Sequence, residues 1–294
     1  MKTLICTLAI VSLFIPRAYA QSDAVEQLLT DVLIPKRLPV LSGFRFMPSD
    51  LVKDPFITSY FRTTTGVGSV VDYSNTIRNF QGDTLGTYEG TMTFVSLGVE
   101  YQQAANEWLA FWGEVDVNAR VGTSVSSIFS QGISMVTGYA IGGMARVWHN
   151  DRMIVSGSLS YRGNSLTGIS PYEWARSIVV DSQSVDNDQL VSDETSGLGY
   201  AGVHAAYAVN EWLGLTTAVS GGLGNAFGDN GRGLFSVGAT ANVDFQRISP
   251  VPVGVLAGYQ FNTLPNSGDN ATDISAFSFG VGYTGHRDFN LILD

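Results

Sequence analysis

What the chain lacks narrows it first. Its one cysteine is Cys6, inside an N-terminal apolar run that reads as a cleaved export signal, so the mature chain is expected to carry no disulfide and no thiol chemistry. Lysine stops at Lys53, and every later cation is an arginine or a histidine. Basic charge is scarce altogether: 16 Lys and Arg stand against 26 Asp and Glu, a formal net charge of -10. That balance argues against nucleic acid as a partner, because nucleic-acid binders carry a basic footprint. After the signal no run approaches the roughly eighteen apolar residues that a membrane-crossing helix needs. No nucleophile motif and no metal-ligand spacing stands out, so no enzymatic activity, metal or other cofactor is expected.

What is present begins with the export signal itself, residues 1–20. Lys2 is followed by an apolar run from Leu4 to Ile15 and by Ala18-Tyr19-Ala20, a small-x-small cleavage site. An exported chain without a helical span can still enter a membrane as a closed barrel of strands.

The stretch from Leu234 to Asn262 carries that possibility. Phe235, Val237, Ala239, Ala241, Val243 and Phe245 fall on one face, and Ser236, Gly238, Thr240, Asn242, Asp244 and Gln246 on the other. This period of two is the mark of a strand. A proline-bearing turn follows, and the alternation resumes from Val253 to Asn262, broken only by Leu256. Runs of this length suit about nine to eleven tilted residues spanning a bilayer better than the usual five or six of a soluble strand. The polar face is also rich in glycine and serine, which would fill a soluble core poorly but suit a polar lumen.

The same pattern is expected at about 60–73, 91–103, 108–123, 137–148, 153–164, 197–209, 212–224, 234–246, 252–263 and 274–284. Long connections follow the odd strands of this series and tight turns follow the even ones. Two tight turns are nearly identical, Asn106-Glu107-Trp108-Leu109 and Asn210-Glu211-Trp212-Leu213, and Trp148-His149-Asn150-Asp151 is a third variant. Tryptophan there suits a membrane interface. The tail from Phe289 to Asp294 alternates too, and Gly43 to Phe46 is a candidate partner for it. Residues 21–58 are less regular: helical spacing of Val25, Leu28, Leu29 and Val32 predicts a short amphipathic helix, Pro35 ends it, and the remainder is either a lead-in or a plug in the barrel mouth.

By signal peptide, alternation and connection asymmetry, residues 59–294 resemble the bacterial outer-membrane β-barrel class. The resemblance implies an all-β antiparallel transmembrane barrel, here of ten to twelve strands with a short N-terminal helix. It also implies an outer-membrane location, and lipids and the barrel-assembly machinery as partners. The class commonly ends in an aromatic residue, for which Tyr283 or Phe289 would stand in here.

Carrying the parity through each strand turns Arg62, Glu100, Glu114, Asp116, Arg120, Arg146, Arg162, His204 and Asp244 inward and leaves the outward face without charge. A midplane arginine or lysine facing lipid costs about 2 to 4 kcal/mol, so a misread barrel would scatter charges on both faces. The expected function is a channel or facilitator for small solutes through this charged lumen. Its gate would be the third external loop, an acidic connection from about 165 to 196. The alternative is a non-conducting structural or surface-binding barrel acting through its acidic loops. Lumen charge separates the two: pairing of both Arg120 and Arg146 with carboxylates would favour the closed reading.

Overall fold

In a computed structural model, residues 39–78, 84–122, 132–169, 171, 190–226, 229–263, 273–286 and 289–293 are described. The chain divides into two compact units, Met1–Pro35 and Lys36–Asp294, and all that follows concerns the second. The export signal, the helix expected near residues 23–34 and most of the third external loop lie outside the described residues.

A small hairpin comes first, β1 (Val40–Leu41) against β2 (Phe44–Arg45). Its two-residue loop holds Ser42 and Gly43 at φ 47 and 81, the positive values that suit the right-handed twist of a tight hairpin. An irregular segment, 46–59, leads to the main sheet.

The sheet has eleven strands: β3 (Tyr60–Arg78), β4 (Thr84–Ala104), β5 (Leu109–Gly122), β6 (Ile133–His149), β7 (Met153–Ile169), β8 (Val191–Ala208), β9 (Leu213–Ala226), β10 (Asp229–Asp244), β11 (Val253–Thr263), β12 (Asp273–His286) and β13 (Phe289–Leu293). Each pairs antiparallel with the next in sequence, an up-and-down meander inside the expected range of ten to twelve. β3 and β13 both start at the tight-turn end and form no ladder with each other among the described residues.

Three expectations are corrected. The strands run further than the apolar alternation does: β3 continues to Arg78, β8 starts at Val191 rather than near 197, and β9 and β10 are separated only by residues 227 and 228. Two of the expected long connections, 74–90 and 225–233, are therefore largely strand. Past the oil both faces of a strand meet water, so period-two hydrophobicity fades while the ladder persists. The tail strand β13 pairs with β12, through Val281↔Leu293 and Tyr283↔Leu291, and among the described residues only with that strand. Its proposed partner at Gly43–Phe46 bonds back to β1 instead, because Ser42-Gly43 closes that hairpin locally.

The repeated turns have a local cause. The Asn106 carboxamide oxygen accepts from the backbone N–H groups of Trp108 and Leu109, each at 2.9 Å. Asn210 does the same for Trp212 and Leu213 at 3.0 and 2.9 Å, and Asn150 for Arg152 and Met153. These Asx turns pin the hairpin ends and leave Trp108 and Trp212 exposed at one rim.

Over the apolar band, among the side chains described, even-numbered residues face inward and odd-numbered ones outward, until the bulge after Arg146 turns Trp148 outward. The outward face carries Phe61, Leu97, Val115, Ile141, Leu159, Val203, Leu223 and Phe277, all exposed, with Phe277 at 82 %. A soluble monomer rarely exposes so continuous an apolar surface. Aromatic rings lie over glycines on the neighbouring strand: Trp112 over Gly142 and Tyr200 over Gly222 inside, Phe111 over Gly143 and Tyr139 over Gly163 outside. Such pairs cover backbone that a side-chain-free residue would leave bare.

Candidate functional site

The inward face is not left empty. Residues 41–59 lie against it at the tight-turn end and touch strands spread from β4 to β12, as a strap across the concave side. Leu41, Phe44, Phe46 and Phe56 pack with Ile154, Ala206 and Ala208 in a buried cluster, and Ile57 joins Ala104, Ala110 and Met144 in a second. Phe46 stacks edge-on to Phe44 at 4.7 Å and lies 5.2 Å from Phe56. Glycines make the room. A Cβ at Gly238 would stand 2.7 Å from Val52, one at Gly254 or Gly282 2.8 Å from the Met47 sulfur, and one at Gly258 3.1 Å from Leu51. Side chains bond the strap backbone: the Gln102 amide donates to the carbonyls of Phe56 and Thr58, both at 2.9 Å, and the Ser156 hydroxyl donates to that of Pro55 at 2.6 Å.

The opposite wall is charged. Along one rung run Arg62, Glu100, Glu114, Ala140 and Arg162, on β3, β4, β5, β6 and β7 in turn. Arg62 Nε donates to Glu100 Oε2 at 3.0 Å, and Arg162 reaches Glu114 at 3.0 Å and Asp116 at 3.5 Å. Asp116 also accepts from the Asn118 amide at 3.0 Å. The remaining inward residues separate from this group. His204 lies between the Ser158 hydroxyl at 2.8 Å and the Lys53 carbonyl oxygen at 3.0 Å, so it holds the strap. Asp244 accepts from Thr284 Oγ1 at 2.9 Å and from the Gln246 N–H at 3.1 Å, a joint between β10 and β12 at the turn end. Arg146 sits 4.0 Å from Glu107 in the β4–β5 turn. Arg120 has no carboxylate within ion-pair distance among the described residues, and its buried Nε has no hydrogen-bond partner there. Among the described residues the two arginines thus differ: Arg146 has a distant carboxylate neighbour and Arg120 has none.

Lys53 is the residue that the sequence did not nominate. Its ammonium is paired with Glu100, hydrogen-bonded to Tyr60 Oη at 3.2 Å and seated over the Trp112 ring, 4.1 Å from its centroid. The Arg62 guanidinium also reaches the Ser49 carbonyl at 3.4 Å and lies 3.8 Å from Asp50. Next to Lys53, Asp54 accepts from the Phe56 N–H at 3.1 Å. Loss of water pushes the Asp54 carboxyl above its usual range, against the pull of Lys53. Two signals foreshadowed the strap: the disappearance of lysine after Lys53, and the glycines that recur at inward positions of β10 to β12.

No metal-binding cluster of His, Cys, Asp or Glu occurs among the described residues. No helix there is long and apolar enough to cross a membrane, which says nothing of strands. No family model and no curated protein matches the sequence. Among solved structures, two crystal structures of the Pseudomonas putida toluene transporter TodX are similar. One has a TM-score of 0.35 at 11% identity over 76% of this chain and 69% of that one. The other has a TM-score of 0.39 at 11% identity over 79% and 70%. At these values the likeness lends no weight to any choice of solute or mechanism.

Proposed function

We propose that this chain is an outer-membrane β-barrel that passes small solutes through its lumen, with the strap of residues 41–59 as its internal gate. The observation that carries the reading is the division of the sheet by parity. An uninterrupted apolar belt faces out, while a charged wall faces in, including Arg120, which has no carboxylate partner among the described residues. Only a lipid surround makes such a belt favourable, and only a wet interior makes such a wall affordable. The third external loop, first expected to be the lid, belongs to this proposal only as a second constriction. The strap is the better candidate because its bonds to the wall can be named.

A non-conducting barrel is the second reading, favoured by the buried apolar clusters that seal the turn end. Planar-bilayer recording separates the two. The refolded mature chain should conduct weakly, and a Phe46→Ala/Phe56→Ala variant that loosens the strap should open larger, steady channels. Silence from both, with folding shown by heat-dependent gel mobility, would leave the non-conducting barrel standing.

A further inference from the structure

The Lys53 ammonium occupies a cage that belongs to the wall. Trp112 on β5 provides the floor at 4.1 Å, and the Tyr60 ring on β3 lies 5.9 Å away. Glu100 on β4 supplies the counter-charge. Tyr60, Gln102 and Trp112 form a single rung of the sheet, and Glu100 is the next inward residue of β4. The carboxylate is fixed without help from Lys53: Tyr60 Oη donates to Oε1 at 2.7 Å and Arg62 Nε to Oε2 at 3.0 Å. Trp112 is fixed too, flat over Gly142, where a Cβ would meet the ring at 2.7 Å. An aromatic face, a second ring and a held carboxylate are what an organic ammonium recognises. The occupant, by contrast, comes from the strap, whose backbone at this residue is held across the lumen by His204.

We propose that Tyr60, Glu100 and Trp112 form a binding site for alkylammonium solutes, and that Lys53 is its tethered occupant, which such a solute displaces. The class of solute rests on the reading of the lumen as a passage; the cage itself does not. Glu100 disfavours anions, while Glu114 beside it on the same rung is already matched by Arg162. Lys53 competes as an intramolecular ligand, at an effective concentration in the millimolar range or above. Its removal should therefore tighten binding of a free ammonium by about tenfold or more. Lys53→Ala is the gentle variant, because Glu100 keeps Arg62 as its partner.

Two experiments test this on the refolded mature chain in detergent. In the first, n-butylammonium binding is measured by isothermal titration calorimetry. Lys53→Ala should show saturable binding at least about tenfold tighter than wild type, and Lys53→Ala/Trp112→Leu should show none. Binding equal to wild type, or surviving the loss of Trp112, overturns the cage. The second needs no variant: wild-type Lys53 should resist acetylation by an activated ester, and tetramethylammonium should restore its reactivity, read by mass spectrometry with Lys36 as internal standard. Labelling of Lys53 unchanged by tetramethylammonium counts against displacement. Channels that open on loosening the strap, without ammonium binding, would remove the cage and keep the passage. Ammonium binding with silent strap variants would remove the passage and keep the cage.

Discussion

Single residues in this molecule are chosen by what stands opposite them. Gly142 is glycine because Trp112 lies on it. A Gly142→Ala change places a methyl inside the ring and should cost about 1 to 3 kcal/mol, with a shift in tryptophan emission, read by urea denaturation in lipid vesicles. Glu100 and Lys53 are not equivalent partners. Removing Glu100 as Glu100→Gln leaves Lys53 and Arg62 facing each other with the anion gone, whereas Lys53→Ala leaves a matched pair. The first should lower stability by about 3 kcal/mol and the second by clearly less; equal losses in the same denaturation series would contradict the assigned pairing. Asp54 sets a pH dependence with a definite sign. Its carboxyl is raised above its ordinary value of 3.8 by burial, so the seated strap prefers it protonated. Its contribution is therefore fully present below that value and is lost as pH rises through the raised one. Asp54→Asn keeps the acceptor for the Phe56 N–H while removing the charge. It should hold the strap more tightly at neutral pH and flatten the gain in conductance that accompanies increasing pH through the acid range, as single-channel recording at stepped pH would register.

At the scale of elements, the Asx turns and the strap differ in how legible they were. Asn106 and Asn210 announce themselves by a repeated four-residue phrase, and the bonds that explain the repeat are local. Asn210→Ala should cost about 0.5 to 2 kcal/mol by analogy with other side-chain acceptors that satisfy backbone N–H groups, with little effect on conductance. The strap gave no such phrase. Its prolines break any period, and its partners Glu100, Ser156 and His204 lie far along the chain, so the segment reads as irregular until the glycines of β10 to β12 are set beside Met47, Leu51 and Val52. The outer ends of β3, β4, β7 and β8 were missed for a related reason: hydrophobic alternation reports the oil, not the ladder. Charge parity was legible throughout, since Arg62, Glu100, Glu114 and Asp116 are all where counting by twos puts them. What counting could not supply was their mutual pairing, because register across strands depends on turns and bulges.

For the molecule as a whole, the outward belt and the inward wall make opposite demands on a charge. Leu159, 70 % exposed at the middle of β7, should tolerate arginine poorly: Leu159→Arg should cost about 2 to 4 kcal/mol in vesicles. The neighbouring inward Ser160→Arg should cost far less. A reversal of that order would put water outside and the core within, and the membrane reading would fall. The strap also ties distant parts of the chain together. Arg45 donates to the carbonyl of His286, 241 residues away, and Arg247 donates to that of Gly43 at 2.8 Å. Contacts so remote in sequence are formed late and slowly, because loop closure comes before any return. The sheet can zip strand to neighbour, but the strap has nothing to seat on until β4, β8 and β12 are all in place. Refolding should then show two clocks, with β-structure appearing first and Trp112 reporting a later arrival. During that interval the sheet would stand, briefly, with its concave face bare.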